Sequence, residues 1–282
     1  MSAFREFLET IKVEHTVFAL PFAYMTLFLV ERGWPSLSNF LWITLAMVAG
    51  RTFGMAANRL IDAGIDARNP RTSSRAVPAG RLSPAAVIVY MVLTLALLLV
   101  AVYQLAPLCR RLWPLVIIAM VAYPYAKRFT LFAHLFLGVV YLMVPTAIWI
   151  AVTNTLPAPA VILGVGAGLW VAGFDIIYAC QDVDVDRREG LHSMPADLGI
   201  APALWVSRVF HLGFVLALAW AGWMLDVGPL YYAGLAITAA LLAWEHRLVS
   251  PRDLSKIDAA FFTTNGVVSI VLFVLVAVDT VL

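Results

Sequence analysis

Charge is what this sequence has least of. Only 13% of its 282 residues are Asp, Glu, Lys or Arg, whereas 62% are hydrophobic. A soluble domain carries about a quarter charged residues, so this chain lacks the polar side chains to cover a surface facing water. Disordered and collagen-like classes are excluded by the same composition. The two cysteines, Cys109 and Cys180, are too few for a disulfide framework and have no metal or redox spacing, so they read as free, buried thiols. With a net charge of +2 and no basic cluster interleaved with aromatics, nucleic acid is not an expected partner. Also missing are a Gly-rich phosphate loop, a His-Glu-x-x-His helix and a Gly-x-Ser-x-Gly elbow. Asp182-x-Asp184-x-Asp186 has the start of a calcium loop, but Arg187 stands where Gly is needed and Ser193 where Glu is needed. No small-residue cleavage site follows the first apolar run, which reads as a retained helix and not a signal peptide.

Long apolar runs are what the chain has in abundance. Nine are candidates to span a bilayer: 15–31, 39–57, 84–105, 112–126, 131–153, 159–181, 203–224, 229–246 and 258–280. Lipid tolerates only backbone that satisfies its own hydrogen bonds, so the fold class is all-α: a polytopic membrane protein of nine helices, in one domain over 1–282. The basic residues fix the orientation. Fifteen Lys and Arg fall at the N-terminus and in the loops after even-numbered spans, three in the loops after odd-numbered spans, and Arg51 lies inside a span. The positive-inside rule then predicts a cytoplasmic N-terminus and an external C-terminus. For Arg81, Arg128 and Arg208 this topogenic role is reading enough.

Of 17 acidic residues, seven (Asp62, Asp66, Asp175, Asp182, Asp184, Asp186 and Glu189) fall in two segments that this topology places at the cytoplasmic surface. Asn58, Asp62 and Asp66 recur every four residues, the spacing of one helix face. Asp175, Asp182 and Asp186, at i, i+7 and i+11, also share a helical face. Carboxylates with an amide oxygen form a hard-oxygen donor set suited to Mg²⁺, which completes its shell with water and phosphate oxygens. Arg68, Arg71 and Arg75 follow the first segment, and Lys127 lies in the next cytoplasmic loop; these are cations for a diphosphate. The five histidines are scattered and read as structural.

Taken together, these motifs resemble the UbiA superfamily of intramembrane aromatic prenyltransferases. N-x-x-x-D-x-x-x-D is present as Asn58, Asp62 and Asp66, and is followed by the tract Arg71-Thr-Ser-Ser-Arg75. D-x-x-Y-A-x-x-D-x-x-x-D is present as Asp175, Tyr178, Asp182 and Asp186, and Y-x-x-x-K as Tyr123 and Lys127. Arg59 replaces an Asp found in many members, and His192-Ser193 stands where ubiquinone-branch members tend to have Lys-Ser. The runs around both motifs look more like members labelled 4-hydroxybenzoate polyprenyltransferase-like, several of which serve the futalosine branch of menaquinone synthesis.

The resemblance implies a central cavity open to the cytoplasm and, laterally, to lipid. It implies Mg²⁺ on Asn58, Asp62, Asp66, Asp182 and Asp186, with Lys127 beside them in catalysis. Arg68, Arg71, Arg75, Tyr123, Asp175 and Tyr178 would bind substrate. The expected partners are a polyprenyl diphosphate, an aromatic carboxylic acid acceptor and membrane lipid, with the active site facing the cytoplasm of a bacterial-type inner membrane. Positions 51, 55, 58 and 62 share a helix face, so Arg51 should point into the motif's cavity and meet the acceptor carboxylate; an ion pair with Asp175, or snorkelling, is the alternative. Aromatics such as Phe53 and Phe174 serve either as cation shields or as packing. Gly50, Gly54, Gly164, Gly166, Gly168 and Gly173 fit close helix packing or a groove wall. A secondary transporter, and a family member with a haem or chlorophyll-type acceptor, are the competing functional readings. The D-G-x-x-A-R segment of CDP-alcohol phosphotransferases is absent.

Overall fold

A computed structural model describes residues 3–11 and 16–282, and among them there is no β-strand element. In chain order the helices are α1 (Ala3–Thr10), α2 (Thr16–Glu31), α3 (Leu37–Ile61), α4 (Ala63–Arg68), α5 (Pro84–Gln104), α6 (Pro107–Ala122) and α7 (Ala133–Thr153). They continue as α8 (Ala158–Ala179), α9 (Val183–Glu189), α10 (Met194–Leu198), α11 (Ile200–Leu225), α12 (Pro229–Leu248) and α13 (Asn265–Val281). Each of the nine apolar runs overlaps one of these helices. Six helical segments among the described residues are both long and apolar enough to cross a membrane: 37–61, 84–104, 133–153, 158–189, 200–225 and 259–281. The helices of runs 15–31, 112–126 and 229–246 lie outside that set. This is an integral membrane protein.

Local sequence sets the helix ends. Ser36 and Ser83 accept from the backbone N–H groups of Asn39 and Ala86, and Pro84, Pro107 and Pro229 occupy first-turn positions that need no N–H. At the start of α12, Asp279 of α13 accepts from the N–H groups of Gly228 at 2.7 Å and Leu230 at 2.9 Å, tying two helix ends together. Leu212, Leu216, Trp220 and Trp223 are more than half exposed along one side of α11, a surface suited to contact with lipid.

The largest core cluster joins α2, α7, α8, α11, α12 and α13 around Trp170 and Phe214, which stack with centroids 5.4 Å apart. Close helix approach depends on glycine. A Cβ on Gly138 would lie 2.7 Å from the Gly168 carbonyl oxygen, and one on Gly168 would lie 2.7 Å from that of Gly138. Gly164 meets the Leu142 carbonyl in the same way, and Gly173 leaves the space filled by the His211 ring. Between α7 and α8 these glycines are therefore packing contacts.

One polar network crosses this apolar core. The Trp170 indole N–H donates to Asn265 Oδ1 at 2.7 Å, and Asn265 Nδ2 donates to Glu245 Oε1 at 3.2 Å. The same amide also reaches the carbonyls of Ala260 at 3.1 Å and Phe261 at 3.0 Å, within the π-helical turn Ala259–Thr264 that precedes α13. A π turn widens the helix and loosens its backbone bonds, and the Asn265 side chain supplies donors to those carbonyls. The turn presents Phe261 to Tyr178 of α8, centroids 4.1 Å apart and nearly parallel.

Gly168→Ala should destabilise the protein by about 2 kcal/mol through overpacking against backbone that cannot yield. Gly50→Ala, whose Cβ meets nothing nearer than 3.7 Å, should be neutral or stabilising. Thermal unfolding in detergent checks the pair: Tm falls for the first and not for the second.

Candidate active site

The first acidic motif lies where α3 ends. Asp62 terminates α3 with φ −92° and ψ 2°, and α4 restarts at Ala63, so the segment is two helices joined at Asp62, not one straight helix. The i to i+4 bonds survive the join, with Asp62 N–H donating to Asn58 C=O at 2.9 Å and Asp66 N–H to Asp62 C=O at 2.8 Å. Asn58, Asp62 and Asp66 consequently all line one polar cavity of about 170 Å³. Arg59, Asn69, Arg71, Arg75, Lys127, Asp182 and Asp186 complete its polar wall.

The second motif departs further from an ideal helix. After α8 the chain tightens into a 3₁₀ turn at Cys180–Asp182 before α9 begins. Three residues at about 120° each, instead of 100°, rotate α9 by about 60° relative to a continuous α-helix. Asp175, Asp182 and Asp186 then lie within about 80° of arc, a widened but still shared face. Asp182 and Asp186 line the polar cavity, whereas Asp175 is bonded to His134, Nδ1 to Oδ2 2.7 Å. His134 is buried on α7, and its Nε2 accepts from the Met194 N–H at 3.4 Å, which leaves the proton on Nδ1, facing Asp175. The alternative reading of Arg51 as an ion pair with Asp175 gives way to this His134–Asp175 pair.

Nearly every carboxylate in the cavity is matched by a donor. Arg75 Nη1 donates to both oxygens of Asp66 at 2.7 Å. Arg71 donates to Asp182 through Nε at 3.0 Å and Nη2 at 2.5 Å, and through Nη1 to Tyr178 Oη at 3.0 Å. Burial would lower the pKa of the Arg71 guanidinium, but the hydrogen bond and charge of Asp182 outweigh it and raise the pKa above its ordinary value. Asn69, which the spacing argument overlooked, donates to Asp182 at 2.8 Å. Lys127 sits 3.0 Å from Asp62, with Arg128 at 3.5 Å, so Arg128 does more than mark topology. Asp186 accepts from Ser193 at 3.0 Å, and the His192 N–H donates to the Lys127 carbonyl at 2.7 Å, pinning two loops together. Arg68 is not in the cavity wall; it pairs with Glu189 on α9 and is more than half exposed.

Asp62 Oδ1 is buried at the cavity wall and accepts no hydrogen bond; its ion-pair contact is Arg128 Nη2 at 3.5 Å. Among the described residues, no three carboxylate, imidazole or thiol groups gather closely enough to hold an ion by themselves. An all-oxygen donor set of this kind fits a hard divalent cation that draws the rest of its shell from water and phosphate.

One turn deeper along α3, an apolar cavity of about 520 Å³ begins. Its wall includes Arg51, Gly54, Tyr123 and Tyr141 nearest the polar cavity, then Met47, Leu98, Trp113, Ala147 and Ile150. Arg51 thus lines the apolar cavity and not the one holding Asn58 and Asp62, and its Nη1 donates to the Ile11 carbonyl at 3.3 Å. Tyr123 is placed likewise. Phe174 and Tyr178 belong to the aromatic cluster with Phe261.

An all-helical membrane protein with a polar, carboxylate-and-cation cavity at the mouth of an apolar one defines a class: an enzyme that handles a molecule with an anionic head and a hydrocarbon tail. The sequence profile of the UbiA prenyltransferase family matches residues 19–267, and the chain belongs to that family. It is 31% identical over 257 residues to a 4-hydroxybenzoate octaprenyltransferase of Pseudomonas fluorescens, covering 90% of this chain and 86% of that protein. The fold is similar to that of an apo UbiA homologue from Aeropyrum pernix, with TM-score 0.84, 30% identity and coverage of 94% of this chain and 98% of that one. A UbiA homologue from Archaeoglobus fulgidus bound to GPP and Mg²⁺ shares the fold at TM-score 0.71 and 18% identity, over 98% of this chain and 99% of its own.

If the Arg71 bonds hold the 69–83 segment against α9, Arg71→Ala should accelerate protease cleavage within that segment about tenfold, the equivalent of about 1.4 kcal/mol of local stability. Arg68→Ala should change it much less. Timed proteolysis followed by mass spectrometry reads both.

Proposed function

We propose that the protein transfers a polyprenyl group from an allylic polyprenyl diphosphate to an aromatic carboxylic acid of the 4-hydroxybenzoate type, a step in quinone biosynthesis. The observation that carries this reading is the juxtaposition of the polar cavity and the apolar one, which matches an anionic head and a hydrocarbon tail. The name borne by the curated relatives supports the acceptor class. Nine helices cross a bacterial-type inner membrane, with the N-terminus and the polar cavity on the cytoplasmic side, and residues 1–282 form one domain.

Asn58, Asp62, Asp66, Asp182 and Asp186 would hold Mg²⁺ together with the diphosphate, and the metal would supply a Lewis acid for the leaving group. Arg71, Arg75 and Lys127 neutralise the diphosphate as the bond from its oxygen to the allylic carbon breaks and the electron pair leaves with it. Tyr123 and Tyr141 stand where the apolar cavity meets the polar one, beside the carbon that becomes cationic. The apolar walls exclude water that would otherwise capture that carbon. A ring carbon of the acceptor then forms the new carbon–carbon bond to the allylic carbon, and the ring proton passes to the released diphosphate. Arg51, on the same wall as Tyr141, binds the acceptor carboxylate, and Asp175, oriented by His134, is the acceptor-side carboxylate.

The test is turnover of farnesyl diphosphate by protein in nanodiscs, with Mg²⁺ and a panel of aromatic acids, read by mass spectrometry of the prenylated product and released diphosphate. The parent should prenylate at least one phenolic acid, and Asp62→Asn and Asp182→Asn should each lower turnover by about 10²–10³-fold while the protein stays folded. No product with any acid, from protein that binds the donor, would refute the proposed acceptor class. Undiminished turnover in both variants would refute the proposed site.

A further inference from the structure

The side chains lining the polar cavity balance in charge: four carboxylates and four cations. Three of each are paired, Asp62 with Lys127 at 3.0 Å, Asp66 with Arg75 at 2.7 Å and Asp182 with Arg71 at 2.5 Å. The remaining carboxylate, Asp186, accepts from the Ser193 hydroxyl. The remaining cation is Arg59, 8% exposed, and it forms no ion pair with a carboxylate among the described residues. Its Nε donates to the Thr10 carbonyl at 3.2 Å, while Nη1 and Nη2 make no hydrogen bond to another described residue. Thr10 ends α1, and the last carbonyls of a helix lack internal partners and carry the negative end of its dipole. Two contacts fix α1 in turn: Glu6 accepts from Arg81 at 3.0 Å, and Phe7 stacks on Tyr90 with centroids 4.0 Å apart. The helix therefore grips the Arg59 guanidinium by its inner nitrogen and leaves the forked end unmatched.

A buried guanidinium with no anion is costly to keep, and its fork is the geometry that phosphate oxygens accept from. Asp62, Asp66, Arg75 and Tyr123 surround it in charge, which sets it between the polar cavity and the Tyr123 end of the apolar one. Charge also decides how the site fills. A divalent cation arriving alone meets three carboxylates already neutralised, and no three metal-binding groups among the described residues gather closely enough to hold it. An Asp at position 59 would make the cavity two charges more negative, an attraction that Arg59 removes. A diphosphate arriving alone meets one cation that no carboxylate holds. We infer that Arg59 is the first contact of the diphosphate, that this contact forms without metal, and that the divalent cation is taken up only together with the diphosphate. This rests on the reading of the protein as a prenyltransferase and adds to it the order in which the site fills. Diphosphate oxygens complete the metal's shell, so each of the two strengthens the binding of the other.

The test uses the full chain in nanodiscs of zwitterionic lipid, with Mn²⁺ as a paramagnetic substitute for Mg²⁺ and geranyl S-thiolodiphosphate as an unreactive donor. Free Mn²⁺ is read by electron paramagnetic resonance and analogue binding by equilibrium dialysis, with empty nanodiscs as the blank. The parent should bind Mn²⁺ about tenfold more tightly once the analogue is present, and Arg59→Asp should reach a similar gain without it. In EDTA the parent should retain weak binding of the analogue, which Arg59→Gln should weaken by about tenfold. Arg59→Lys, which keeps the charge, should stay within about threefold of the parent. Mn²⁺ held equally tightly with and without the analogue overturns the order of filling. Binding in EDTA that is absent from the parent, unchanged in Arg59→Gln, or lost equally in Arg59→Gln and Arg59→Lys overturns the assignment of Arg59. All of those results leave the prenyltransferase reading standing. An analogue that the parent does not bind even with Mn²⁺ defeats both.

Discussion

A carboxylate in the low-dielectric border of a membrane protein must be neutralised, and in this protein that requirement shapes the architecture around the polar cavity. Asp66 is matched by Arg75, Asp182 by Arg71 and Asn69, and Asp62 by Lys127 and Arg128. The partners come from different parts of the chain: the segment after α4, the 3₁₀ turn Tyr123–Arg128 and the turn leading into α9. Neutralisation therefore folds those parts onto one small polar cavity. A buried charge whose partner is removed is far more costly than a pair that was never built, so the arrangement is cooperative. Under the proposed function it would also prepare the chemistry, since guanidinium and ammonium groups that balance carboxylates would turn to a diphosphate once a divalent cation took the carboxylate oxygens.

The helical scaffold brings this pole to the mouth of the apolar groove. Gly138 and Gly168 let α7 and α8 touch backbone to backbone. Behind α8, the Trp170–Asn265–Glu245 network and the π turn fix Phe261 beneath Tyr178, which in turn accepts from Arg71. Packing deep in the bundle is in this way connected, contact by contact, to a cation of the site.

Much of this was legible in the residues, because long apolar runs and aspartates at helical spacing each obey a simple rule. The four-residue spacing of Asn58, Asp62 and Asp66 survives a helix break since the hydrogen bonds continue through Asp62. Asp175 parts from Asp182 and Asp186 because His134 on α7 takes it, and no local signal announces that partner. His134 and Asn69 carried no spacing at all; their roles come from partners 41 and 113 residues away. Arg51 shares a helix face with Asn58, yet two cavities divide that face, and periodicity along one helix does not show where a cavity ends. Short spans broken by Pro114 or bearing His246 and Arg247 keep the helical pattern but fall below the length or apolarity of the other six.

The central claim is that carboxylates now held by cations exchange those partners for a divalent metal and a diphosphate head. Its most direct test is equilibrium binding of a non-hydrolysable thiolo analogue of geranylgeranyl diphosphate to the protein in nanodiscs, with Mg²⁺ present and after its removal by EDTA. The account predicts that affinity falls at least tenfold without the metal and returns when Mg²⁺ is restored. Binding that is as tight in EDTA as in Mg²⁺ would contradict it.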